Sequence, residues 1–168
     1  MDQYSSHKLC VCCLEKPKRC HFGFTLIEIM IAIALVGTLA AIAIPSYISY
    51  KNRALIAEAI VEMDRIEVAI THYWAVNGEL PDSLDDVGLG DLKDPWGNPY
   101  QYLRINGGDV KGKGKLRKNR SLVPVNSDYD LYSKGKDGKS QTPFTAKSSQ
   151  DDIVRANDGG FLGLVSDY

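Results

Sequence analysis

The chain has 168 residues, 44% hydrophobic and 24% charged, with 20 basic against 21 acidic side chains and a formal net charge of −1. That length holds one ordinary domain, and so balanced a charge gives no electrostatic case for a nucleic-acid binder, so no nucleic acid is expected among its partners. The average hides a segregated layout. From Phe24 to Tyr50 the one ionisable side chain other than tyrosine is Glu28, and charges become frequent from Lys51 onward. The chain therefore reads as a polar leader (1–23), an apolar block (24–50) and a mixed remainder (51–168).

The leader holds all four cysteines, Cys10, Cys12, Cys13 and Cys20, with His7 and His21 nearby. These are zinc-binding residue types, but their spacing matches no common zinc module, and a short thiol-bearing cytosolic tail accounts for them as well. The leader also carries four of the basic and two of the acidic side chains, so a chain without it has net charge −3 and no thiol.

The apolar block opens with 21 nearly uninterrupted apolar positions, Phe24 to Ile44, enough to cross the roughly 30 Å hydrocarbon core as a helix. Lys8, Lys16, Lys18 and Arg19 precede it, which predicts a cytoplasmic N-terminus and an exported C-terminal part. A secretory signal would be cut after the apolar run, yet here helical periodicity continues through Ala54, Ile56, Ala57, Ile60, Met63, Ile66, Ile70 and Tyr73. The stop comes at Asn77-Gly78, followed by Pro81. One helix from Phe24 to Val76 would be about 80 Å long at 1.5 Å per residue, lipid-like in its first half and amphipathic in its second.

At the front edge stands Lys18-Arg19-Cys20-His21-Phe22-Gly23-Phe24-Thr25-Leu26-Ile27-Glu28. This resembles the prepilin signal of type IV pilins and pseudopilins, in which a basic leader and a glycine precede Phe-Thr-Leu-Ile-Glu and about twenty apolar residues. The resemblance implies that Gly23 is the last leader residue, that a prepilin peptidase cuts between Gly23 and Phe24, and that Phe24 becomes an N-methylated terminus. Gly37 and Pro45 continue the match, and with Phe24 and Glu28 they form the expected assembly set.

Glu28 has a physical problem that such processing would solve. A carboxylate inside an apolar helix costs on the order of 2.5–3.5 kcal/mol on insertion scales. No Lys or Arg lies between residues 24 and 50 to compensate. Cleavage creates a cation, the Phe24 amine, which a neighbouring helix can bring beside Glu28, and N-methylation keeps that charge. Pro45 in the helix interior costs about 3 kcal/mol or more, and Gly37 about 1 kcal/mol relative to Ala, so a bend or local melting is expected between them.

Beyond Gly78 the sequence predicts a small α+β head. Pro81–Val87 reads as a short helical turn, Asp94-Pro95-Trp96-Gly97-Asn98-Pro99 as a dense turn, and Tyr100–Ile105 as a strand. Further strand candidates are Ser121–Val125 and Tyr129–Ser133. The expected fold class is α+β: one long N-terminal helix, transmembrane then amphipathic, packed on a small antiparallel sheet of about three strands.

The Asp94–Pro99 turn, Asp130-Leu131-Tyr132-Ser133 and Gly135-Lys136-Asp137-Gly138 resemble the type II secretion major pseudopilins of the GspG class. That resemblance implies calcium in the loop after the last strand, held by the Leu131 carbonyl, Ser133, Asp137 and the pair Asp151-Asp152. Calcium takes six to eight oxygens, and carboxylates mixed with carbonyls suit it, although Asp and Gly are ordinary turn residues too. Two features depart from that class. The tail after Asp152 is long, and a basic insert runs from Lys111 to Arg120. The insert reads as a solvated, glycine-rich hairpin loop, with an anionic contact as the alternative.

One histidine, His72, lies outside the leader, and no nucleophile–base pair or metalloprotease motif is visible, so no enzyme activity is expected. The resemblance implies a structural subunit of a type II secretion pseudopilus, polymerised into a helical filament that helps export folded proteins. A type IV surface pilin for adhesion, motility, DNA uptake or electron transfer is the alternative. Its implied partners are further copies of itself, the prepilin peptidase, an inner-membrane assembly platform, minor pseudopilins and the lipid bilayer. The implied location is the bacterial inner membrane, single-pass, with the head in the periplasm.

Overall fold

The structure, a computed structural model, describes residues 23–108 and 114–168. The leader cysteines, His7, His21 and the first part of the basic insert, 109–113, lie outside the described residues. By its contacts the chain divides into two units, Met1–Ala43 and Ile44–Tyr168.

Helix α1 runs from Leu26 to Asn77, with Pro45 inside it. In the first unit its apolar side chains, among them Leu26, Ile33, Leu39 and Ile42, are exposed. A helix hydrophobic all round needs an apolar surrounding, and this one is long and apolar enough to cross a membrane. In the second unit the helix is amphipathic. Ala59, Met63, Ile66 and Ile70 are fully buried at spacings of four, three and four residues, which is one face of an α-helix. Ala54 and Ala57, expected on that stripe, are exposed. The helix ends as predicted: Gly78 has φ +77° and donates its N–H to the Trp74 carbonyl at 2.8 Å.

Four strands follow: β1 (Gln101–Arg104), β2 (Tyr129–Ser133), β3 (Ile153–Ala156) and β4 (Phe161–Leu164). They form one antiparallel sheet in that order, with Tyr102 opposite Leu131, Tyr132 opposite Val154, and Val154 opposite Gly163. One face packs Tyr129, Leu131 and Ile153 on the buried stripe of α1, together with Leu84 and Tyr100. The loop after α1 seals this layer through Leu80, Val87, Leu89 and Leu92, with a short 3₁₀ turn at Leu84–Val87.

The opposite face carries a second core of Val154, Ala156, Val125, Phe144 and Val165. Here the structure corrects the sequence reading. Ser121–Val125 is no strand: the chain turns tightly at Asn119–Leu122, where each residue bonds the other's backbone, and Pro124 has no N–H to offer a ladder. Nor is the described part of the basic insert a solvated loop, because Leu116 and Arg117 are buried. It is stitched to the β2–β3 loop by Lys118 N–H to Thr142 O at 3.0 Å and Phe144 N–H to Lys118 O at 2.9 Å. The two loops form an outer layer over the sheet. The head is thus helix, sheet and loop layer.

Candidate functional site

At the junction, Gly23 and Phe24 are exposed and Thr25 and Glu28 cap α1 reciprocally. The Thr25 backbone N–H and hydroxyl donate to Glu28 Oε2 at 2.8 and 2.7 Å, and the Glu28 N–H donates to Thr25 Oγ1 at 3.3 Å. This is a capping box, which meets helix-terminal donors that water would otherwise serve. The sequence reading missed Thr25, although a Thr three residues before a Glu ahead of an apolar run is the usual signature. The box holds the Glu28 carboxylate at the front of the helix, bonded to Thr25, the residue next to Phe24. Gly37 and Pro45 lie along the same helix, in the first and second units respectively.

In the head, the turn Asp94–Pro99 is built around a buried carboxylate. Asp94 Oδ1 accepts the N–H groups of Trp96 and Asn98, and Oδ2 accepts the Ser133 hydroxyl at 2.6 Å. Asn98 in turn donates to the Gly135 carbonyl at 2.9 Å. The turn therefore clasps the start of the β2–β3 loop, where the resemblance to the GspG class implies calcium.

The five expected ligands are not brought together as one set. Ser133 is spent on Asp94, and its Oγ also accepts the Gly135 N–H. Leu131 lies within β2, opposite Tyr102. Asp137 and Asp151 do meet, through the Asp137 N–H on Asp151 Oδ2 at 2.9 Å. Asp152 is fully buried and faces a cation of the chain itself: Arg117 Nη2 stands 2.7 Å from Asp152 Oδ2, which also accepts the Ser140 hydroxyl. Among the described residues no three acidic, histidine or cysteine side chains are placed to hold a metal ion. A guanidinium against Asp152 repels a divalent cation there, so the residues do not fit calcium as the expected set.

Arg117 was the buried structural residue hardest to foresee. Its backbone N–H donates to Asp130 Oδ2, and its Nη1 to Ser140 Oγ and the Gln141 carbonyl. Its guanidinium also lies 4.2 Å from the centre of the Tyr132 ring and 5.2 Å from that of Phe144. Planar, multidentate and stacked, this is a role lysine cannot fill. The signal available in the sequence was an arginine beside Leu116 in a run otherwise rich in lysine. Burial pushes the carboxyls of Asp130 and Asp152 above the usual carboxylate range, against the hydrogen bonds that pull them down.

A second buried arginine ties the sheet to the helix. Arg155 in β3 meets Glu67 of α1 at 2.9 Å and Asp128 at 2.8 Å, and lies 4.1 Å from the centre of the Tyr129 ring. Tyr100 donates to Glu62 of α1 at 2.6 Å, and burial with that carboxylate pushes its phenol well up.

A capped, apolar N-terminal helix carrying an α+β head defines a membrane-anchored, pilin-like structural protein. The prokaryotic N-terminal methylation motif matches residues 18–44. The chain is 32% identical over 136 residues to a fimbrial protein of Neisseria meningitidis, spanning 81% of this chain and 79% of that one. It is 32% identical over 148 residues to the type IV major pilin protein PilE of Neisseria gonorrhoeae, covering 85% and 87% of the two chains. It is likewise 32% identical over 143 residues to the type II secretion system core protein G of Pseudomonas aeruginosa, covering 73% and 88%. No solved structure matches the chain significantly. The chain belongs to the type IV pilin-like family, which takes in pilins and type II secretion core proteins alike.

Proposed function

We propose that this chain is the repeating subunit of a type IV pilus, clipped between Gly23 and Phe24, methylated on the Phe24 amine and polymerised through its apolar helix. The observation that carries the reading is the junction. A capping box fixes the lone carboxylate, Glu28, within one turn of Phe24 at the start of a helix whose apolar surface is bare. Packing those helices together covers the apolar surface and supplies each Glu28 with a neighbour's amine. The subunit waits in the inner membrane with its head on the outer side, as the basic residues before the span favour. A prepilin peptidase and a membrane assembly platform are its implied partners.

Matches to the two pilins span 81% and 85% of the chain, against 73% for the secretion core protein, which favours the pilus. One feature favours the pseudopilus instead: the Asp94–Pro99 turn, whose buried Asp94 and Asn98 clasp Ser133 and Gly135. Mass spectrometry of membrane-extracted protein, with electron microscopy of sheared cells, tests the proposal. We expect a 145-residue chain beginning at methylated Phe24 and filaments on the cell surface. An intact leader, or a cut near residue 40, overturns it, and filaments confined to the periplasm favour the pseudopilus.

A further inference from the structure

We propose that neighbouring copies of this chain pack through two oppositely charged surfaces of the head, the basic outer layer of one against the acidic loop after α1 of the next. This rests on the filament reading above, and it names the surfaces by which the heads engage. The outer layer is formed chiefly by segments 114–126 and 138–150, which carry Lys115, Lys118, Arg120, Lys139 and Lys147; its carboxylates, the exposed Asp137 and the half-buried Asp151, flank the second segment. Arg117, the sixth cation there, is neutralised internally by Asp152. None of the other five is in an ion pair among the described residues, and all but the half-buried Lys118 are exposed.

The loop 79–92 is the inverse. It holds Glu79, Asp82, Asp85, Asp86 and Asp91 and no cation. Arg104 offsets Glu79 and Asp82, and Asp86 caps its own turn through the Ser83 N–H. Asp85 and Asp91 are exposed, and no ion pair among the described residues engages them.

The sheet separates the two surfaces. Leu80, Leu84, Val87, Leu89 and Leu92 seat the acidic loop on the α1 side, whereas Val125 and Phe144 seat the basic layer on the other. One copy cannot bring its own surfaces together, but two copies can. A contact between different patches on two copies is heterologous, and such contacts propagate into open helical assemblies. A free polyanion is the less suited occupant, because the chain without its leader carries −3 overall and the basic layer has no aromatic interleaving.

The test uses processed, membrane-expressed protein and its filaments. Without the leader the chain has no cysteine, so introduced thiols report without background. Copies bearing Asp85→Cys or Asp91→Cys are mixed with copies bearing Lys115→Cys, Lys139→Cys or Lys147→Cys. Oxidation of the mixed filaments is expected to give disulfide-linked dimers. Reversing the basic surface (Lys115→Glu with Lys139→Glu and Lys147→Glu), or the acidic one (Asp85→Lys with Asp91→Lys), should each lower filament yield about tenfold or more. Combining the two reversals should restore it, while thermal melting of every variant stays near that of the parent. If filaments form normally and no thiol pair links, the charged contact is overturned and the filament reading stands. If the basic reversal instead abolishes binding to double-stranded DNA or phosphatidylglycerol vesicles while filament yield holds, the partner is a polyanion and the proposal fails. If the parent protein makes no filaments, both readings fall.

Discussion

Arg117 and Asp152, 35 residues apart, meet at 2.7 Å beneath the outer loop layer, with both side chains almost wholly buried. The loop that reads as a solvated basic hairpin thus sends one cation inward to hold down the β2–β3 connection. Removing one partner of a buried pair strands the other charge, at a cost of about 3–5 kcal/mol. We expect Arg117→Met to lower head stability by that amount and to expose 138–150 to protease first. Adding Asp152→Leu should recover much of the loss, since a well-packed apolar pair can replace a buried ion pair. A double-mutant cycle read by chemical denaturation checks it.

The same pair sets an expectation for calcium. With a guanidinium already on Asp152, chelator and millimolar calcium should give the same melting temperature and the same proteolysis of 134–152. One atom offers the opposite outcome: Asp152 Oδ1 is buried without a hydrogen-bond partner among the described residues. A calcium-dependent rise in melting, lost in Asp137→Ala and Asp151→Ala, would mean that this oxygen takes a cation after all.

Glu28→Ala should leave membrane levels of the subunit unchanged or higher, because it removes a charge from an apolar helix, while filaments disappear. Thr25→Val tests the cap separately. It removes the hydroxyl from the capping box, costing about 1 kcal/mol locally, and should thin filaments without abolishing them. Equal loss in both variants would assign Glu28 a capping role alone. Quantitative immunoblots of membrane and sheared fractions give the comparison.

Arg155→Lys keeps the charge but loses the fork that serves Glu67 and Asp128 together and the stack on Tyr129. We expect a loss of about 2–3 kcal/mol, below the cost for a wholly buried pair because both carboxylates are partly exposed. Hydrogen exchange should show β3 loosening from α1, with the outer layer unchanged.

Gly135→Ala combines two faults. Gly135 has φ +61°, where an L-residue costs roughly 1–2 kcal/mol. Its new Cβ would also fall 2.0 Å from the Asp151 carbonyl oxygen. We expect the 134–152 connection to become protease-sensitive and the melting temperature to drop, whereas Gly37→Ala, where a Cβ meets nothing within 4 Å, leaves the fold intact.

Sequence alone determined the parts of this protein that depend on neighbours in the chain. The span of α1, its end at Gly78, the Asp94–Pro99 turn, β1 and β2 were all legible, because apolar periodicity, a left-handed glycine and turn chemistry act over a few residues. The strands β3 and β4 were not. All four residues of β3 are buried, so it shows no alternation, and the charged side chain among them, Arg155, is neutralised by Asp128, 27 residues away, and Glu67, 88 residues away. The tertiary structure alone decided which of Lys115, Arg117, Lys118 and Arg120 face water and which one is locked inside. A lysine-rich run looks uniformly soluble in sequence. Burying Arg117 became favourable only where Asp152, Ser140, Gln141 and two aromatic rings converged from distant segments to replace the water it gave up.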